Sequence, residues 1–239
     1  MGIGPGGPLD RTRRAELALA QSQIIVGYKR YLGFIRDLTN GKELISSGMT
    51  KEIERCQIAI QRACTGATVS LVSSGDAGIY GMAGLVLELM NTLDCRPKVE
   101  IVPGVTSASA AAARLGAPLM LDFACISLSD LLAPWDSIRQ KLEATAASDF
   151  VVALYNPKSK TRQHQLAEAA EIFRTYRPPD TPVGVCTALG AEEESIALSD
   201  LEHFLELEIN MRSLVIIGNR SSRIVGKWFV TPRGYNVDK

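Results

Sequence analysis

The sequence predicts an α/β fold built as two domains. Three observations predict it: short runs rich in Val and Ile, longer amphipathic segments alternating with them, and loops bearing Gly, Ser or Thr directly after several of the runs. The strand-like runs are residues 24–27, 69–73, 99–102, 150–155, 183–187 and 214–217. They are continuously apolar rather than alternating, the pattern of strands covered on both faces in parallel sheets. Helical patterns occupy residues 11–20, 51–64, 81–93, 107–115, 135–146 and 163–174. The stretch LGAPLMLD, residues 115–122, follows an Ala-rich helix and carries Gly and Pro. It is the expected boundary, with domains over residues 1–117 and 118–239.

Composition narrows the function classes. Of 239 residues, 46% are hydrophobic and 22% charged, which is globular rather than disordered. Lys plus Arg and Asp plus Glu are 26 each, so no net field draws the chain to nucleic acid or anionic lipid. Lys29, Arg30, Lys158, Lys160 and Arg162 are candidates for a local patch that takes a carboxylated substrate, against plain surface solvation. The five cysteines form no C-x-x-C pair and are expected as small buried side chains in a reducing compartment. His164 and His203 have no second ligand at metal spacing, so no metal is expected. With neither a signal-peptide pattern nor a membrane-length apolar stretch, a soluble, cytoplasmic protein is expected.

The loops carry the chemistry. Gly2-Ile3-Gly4-Pro5-Gly6-Gly7 matches the dinucleotide string G-x-G-x-x-G and makes a nicotinamide- or flavin-dependent oxidoreductase a rival reading. Against it, no strand precedes Gly2 in the sequence, Pro5 lacks an N–H, and residues 27–29 bring no carboxylate for a ribose. The second loop, Ser73-Ser74-Gly75-Asp76-Ala77-Gly78-Ile79-Tyr80-Gly81, follows an apolar run, where α/β proteins bind ligands. Asp76 reads equally as a ligand contact or as the N-cap of the next helix. The third, Pro103-Gly104-Val105-Thr106-Ser107, offers hydroxyls that also suit an N-cap. Farther on, Ser127-Leu128-Ser129-Asp130 and Tyr155-Asn156-Pro157 follow apolar runs, the first as a possible cap, the second as a possible turn.

At these loops the chain resembles the tetrapyrrole methylase family, and within it the precorrin-3B C(17)-methyltransferases of cobalamin biosynthesis. The matching pieces are GIGPGG, IVGYKRY, SSGDAGIYGMAGLVLEL, IVPGVTSASAAAARLGAPL, ISLSDLL followed by PW, ALYNPKSK, TPVG, SLVIIGN and TPRGY, in family order from Gly2 to Tyr235. The resemblance implies two α/β domains with a cofactor cleft between them, a homodimer, and S-adenosylmethionine as methyl donor. It implies donor contacts at Pro5, Ser74, Gly75, Asp76, Ile79, Tyr80, Thr106, Ser107, Tyr155, Asn156, Ala188 and Gly190. Candidates for the tetrapyrrole are Tyr28, Lys29, Ser127, Ser129 and Asp130, with Asp130 the candidate for orienting substrate or moving a proton. The implied reaction is methylation at carbon 17 with contraction of the macrocycle. Alternatives are a cobalt-precorrin-3 substrate of the anaerobic route, or a non-catalytic cofactor-binding homologue. The chain departs from the family at Leu121, where relatives usually carry His, at Gly190-Ala191, where they usually carry Gly-Arg, and in having no strand ahead of the first loop.

Overall fold

The run IIVGY, apolar without alternation, becomes the central strand of a small parallel sheet because both of its faces find cover. In the computed structural model, which describes residues 1–236, the chain forms two compact units, Met1–Ser107 and Ala108–Lys239. The first holds α1 (Arg13–Gln21), β1 (Ile24–Tyr28), α2 (Lys29–Gly33), β2 (Glu43–Ser47), α3 (Glu52–Cys64), β3 (Val69–Val72) and α4 (Ala83–Met90). The strands pair in parallel in the order β2-β1-β3. Ile25 packs with Ile3, Leu19, Leu32, Ile35 and Val72 on one face. Ile24 and Val26 pack with Ala59 of α3 on the other. This is the two-sided burial that an unbroken apolar run encodes.

The second unit contains α5 (Ser107–Leu115), whose first residue closes the first unit, then β4 (Gly116–Ala117), β5 (Phe123–Ser127), α6 (Trp135–Ala147), β6 (Val151–Tyr155) and α7 (Gln165–Tyr176). There follow β7 (Pro182–Thr187), β8 (Ser195–Asp200), β9 (Ser213–Ile217), β10 (Arg223–Val225) and β11 (Trp228–Val230). Five strands form one sheet in the order β5-β6-β9-β7-β8. Its core is a single cluster in which Leu142, Leu154, Leu166, Phe173, Phe204 and Val215 are fully buried. A second small sheet, β10-β11-β4, pairs Ala117 with Val230. The division between units falls at residue 107, ten residues before 117, because the Ala-rich helix α5 packs on β7: the Cys186 Sγ reaches the Ala111 carbonyl, and Leu115 fills the space beside Gly184.

Three expectations are corrected. The larger sheet is mixed, not parallel, since β9 runs antiparallel to both β6 and β7, and β8 antiparallel to β7. A parallel return needs a crossover of a dozen or more residues, usually a helix, and residues 188–212 contain no α-helix.

Residues 99–102 form no strand. Val102 accepts one bond from the Gly2 N–H, and among the described residues no backbone bond reaches residues 97–101. A cavity of about 640 Å³, lined by Ser70 and Leu71 of β3 and by Val99 and Ile101, keeps that run from a ladder partner. An apolar run is a strand only where a neighbour completes its hydrogen bonds.

The cysteines are not all small buried side chains. Cys56 and Cys186 are buried, and burial pushes their thiols up to about 11 and about 12. Cys64 and Cys95 are exposed and joined as a disulfide, their Cα atoms 6.1 Å apart. The two lie 31 residues apart in sequence, so only the fold brings them together.

Candidate functional site

In the first unit the carboxyl ends of β1 and β3 lie side by side, because the two strands are parallel neighbours. Tyr28 ends β1, and Lys29, exposed, opens α2. Tyr28 packs edge-on against Tyr31, ring centroids 5.2 Å apart. From β3 the chain enters the SSGDAGIYG loop. The first loop joins it: Ile3 N–H donates to the Ser73 carbonyl, and Gly4 and Gly75 exchange two backbone hydrogen bonds of 3.1 and 2.7 Å.

The third loop closes the knot. A Cβ on Gly104 would lie 2.1 Å from the Gly75 carbonyl oxygen and 2.8 Å from the Gly2 Cα. Three backbones therefore cross where Gly2 and Gly104 leave no room for a side chain, while Gly75 takes a left-handed φ of 64°. Asp76 ties the crossing: Oδ1 accepts from Gly78 N–H at 2.7 Å and Oδ2 from Gly104 N–H at 2.8 Å. It is not a helix cap, since α4 begins at Ala83 behind Met82, whose N–H is taken by the Ser73 hydroxyl. Around this crossing stand Pro5, Ser74, Thr106 and Ser107, with Ile79 39% exposed and Tyr80 54% exposed at a left-handed φ of 52°. The dinucleotide reading of the first loop fails on geometry. A three-residue 3-10 turn, Pro8–Asp10, follows it, so no helix N-terminus faces the glycines.

The second unit presents another such edge. β5 is parallel to β6, and both β6 and β7 are antiparallel to β9, so Ser127, Tyr155 and Thr187 end their strands at one edge. Here side chains do the joining. The Ser127 hydroxyl accepts from Asn156 Nδ2 at 2.9 Å and from Ser129 N–H at 3.2 Å. Arg162 donates Nε to the Asn156 carbonyl at 3.0 Å and Nη1 to the Ser129 hydroxyl at 3.5 Å. Asp130, exposed, is held by Gln165 at 2.9 Å. The Tyr155 hydroxyl accepts the Ala108 N–H at 3.0 Å, serving the first turn of α5.

Asn156 (φ 53°), Ala188 (φ 57°) and Gly190 (φ 72°) all take left-handed backbone after β6 and β7. Two of the three are not glycine, a strain that persists only where the surroundings over-determine it. Ala188 N–H is fixed by the Arg212 carbonyl, and Gly190 N–H by the Glu194 carboxylate, which also pairs with Arg114. Glu194 thus anchors the loop that holds Gly190 and Ala191. Leu121 is exposed ahead of β5, and Thr231 of the TPRGY motif is buried against Ser222.

The sequence placed Arg162 among the candidates for a patch that takes a carboxylated substrate, against plain surface solvation. Its bridging role was not visible, because the bond to Asn156 uses a carbonyl exposed by that residue's left-handed turn. Among the described residues no His, Cys, Asp or Glu group suits a metal, and no helix is long and apolar enough to cross a membrane.

The family model described as Tetrapyrrole (Corrin/Porphyrin) Methylases matches residues 1–204. The chain is 45% identical over 237 residues to the Probable cobalt-factor III C(17)-methyltransferase of Salmonella typhimurium, covering 99% of this chain and 98% of that one. It is 40% identical to the Precorrin-3B C(17)-methyltransferase of a Sinorhizobium species, covering 98% and 95%. The crystal structure of the methyltransferase CobJ superposes with a TM-score of 0.90 at 35% identity, covering 97% of both chains.

Proposed function

The chain belongs to the tetrapyrrole methylase family, and from that membership we propose that it is an S-adenosylmethionine-dependent methyltransferase acting at carbon 17 of a tetrapyrrole in cobalamin biosynthesis. The observation that carries the reading is the backbone crossing of Gly2, Gly75 and Gly104 under Asp76, at the carboxyl edge of a parallel sheet. The donor set there suits an adenosyl amino acid. Ser74, Thr106 and Ser107 bring hydroxyls, Asp76 keeps lone pairs beyond its two backbone bonds, and Ile79 gives apolar surface to a purine. We assign Pro5, Ser74, Gly75, Asp76, Ile79, Tyr80, Thr106 and Ser107 to donor contact, and carry the same assignment for Tyr155, Asn156, Ala188 and Gly190.

When bound, the cofactor supplies a methyl group on a positively charged sulfur. What the protein adds is position and dryness: rigid loops that fix the donor, and an edge that orients the tetrapyrrole carbon toward it. Tyr28, Lys29, Ser127, Ser129 and Asp130 are proposed for the tetrapyrrole. Asp130, exposed and aimed by Gln165, is proposed to orient substrate or hold a proton.

A cobalt-bearing substrate is favoured over precorrin-3B, because the relative at 45% identity is named for cobalt-factor III and the one at 40% for precorrin-3B. A homodimer, carried by the family resemblance, and a cytoplasmic location, carried by the sequence pattern, complete the proposal. The test is calorimetry with S-adenosylhomocysteine followed by methyl transfer to both tetrapyrroles. Micromolar binding with turnover is expected; binding without turnover on either substrate points to the non-catalytic homologue, and no binding removes the reading.

A further inference from the structure

The turn after β6 concentrates positive charge. Lys158, Lys160 and Arg162 stand within five residues of a chain whose net charge is zero. None lies within ion-pair distance of a carboxylate among the described residues, whereas Arg139, Arg174 and Arg212 all do.

The turn is also built rather than loose. Ser159 N–H donates to the Arg162 carbonyl at 3.0 Å, and Arg162 N–H returns a bond to the Ser159 hydroxyl at 3.0 Å. The guanidinium is then oriented by the Asn156 carbonyl and the Ser129 hydroxyl. Those contacts occupy Nε and Nη1 and leave Nη2 without a partner among the described residues. Asp130 acts on Arg162 only from beyond ion-pair distance. A fixed guanidinium with a free N–H edge, flanked by two free ammonium groups, is a receptor for an anion that presents oxygens in a plane.

We propose that Arg162, with Lys158 and Lys160, is a carboxylate-docking site that takes acidic side chains of the tetrapyrrole. This rests on the methyl-transfer reading for the identity of the substrate, but not for the site's chemistry. Arg162 is the oriented anchor, and the lysines draw the anion in and neutralise further carboxylates.

The experiment measures binding of uroporphyrin III, a polycarboxylated tetrapyrrole, to the full chain by fluorescence at low and raised salt, with S-adenosylhomocysteine calorimetry as control. The double variant K158Q/K160Q removes charges that bond nothing in the fold, so it folds normally. It is expected to weaken uroporphyrin about fivefold, flatten the salt dependence and leave S-adenosylhomocysteine binding unchanged. R162Q is expected to weaken uroporphyrin about tenfold, with R162K restoring part of the loss. These losses support the site even where no methyl transfer is detected, which separates it from the functional reading. No uroporphyrin binding by the parent chain, or less than a twofold change in K158Q/K160Q with the salt slope intact, overturns it.

Discussion

The two strand-end edges solve one problem by opposite means. In the first unit, left-handed backbone falls on Gly4 and Gly75, and three loops are knitted by main chain and one carboxylate. In the second, it falls on Asn156 and Ala188 as well as Gly190, and the loops are held by Ser127, Arg162 and Glu194 side chains. Tyr80 is the departure at the first edge, a non-glycine at positive φ. The difference teaches where each edge is fragile. A backbone crossing fails when volume is added, and a side-chain network fails when a bond is removed.

The largest effect is expected at the crossing. Gly104→Ala puts a methyl 2.1 Å from the Gly75 carbonyl, among backbone that has no rotamer to change. A loss on the order of 3 kcal/mol or more is expected by denaturant titration, together with loss of S-adenosylhomocysteine binding. A stable variant that still binds would break the claim that the first edge is set by backbone contact.

Asn156→Ala makes the matching cut in the second edge. It removes the bond to Ser127 and places a residue less tolerant of left-handed φ, a combined cost of about 2 kcal/mol. Donor binding should weaken less than in Gly104→Ala if Asn156 only completes the contacts. Asp76→Asn comes next. It keeps one acceptor oxygen and loses the charge and the other, for about 1.5 kcal/mol and a weaker Kd for S-adenosylhomocysteine.

The smallest effect sharpens the view that the second unit is tuned by side chains. Asp200 bonds the His203 ring at 2.8 Å and raises its pKa, through the hydrogen bond first and charge second. Because the folded value is raised, this contribution is fully present below the ordinary histidine range and is lost as pH rises through the folded value. NMR titration of Asp200→Asn should bring His203 back toward 6.5, and an unchanged midpoint would remove the interaction.

Much of the first edge was legible before any coordinates, because glycine announces itself. Gly2 and Gly104 stand where backbones approach closely and Gly75 where φ is positive, and the apolar run feeding the Gly75 loop is a true strand. Asp76 was only half legible: its spacing allowed a helix cap, and it proved to clamp a loop 28 residues away. The second edge was less legible. Asn156 and Arg162 are ordinary turn residues in a string, and their bond exists only through the left-handed φ at 156.

The amino-acid order by itself determined the alternation of strand and helix, the glycine loops and the family, since these depend on local pattern and on short motifs in sequence. Tertiary structure alone decided the mixed sheet of the second unit, the failure of residues 99–102 to become a strand, and the Cys64–Cys95 bond. Each of those turns on whether a partner distant in sequence lies within hydrogen-bonding or covalent reach. Periodicity reports which face of a segment is apolar, but carries no information about what stands opposite it.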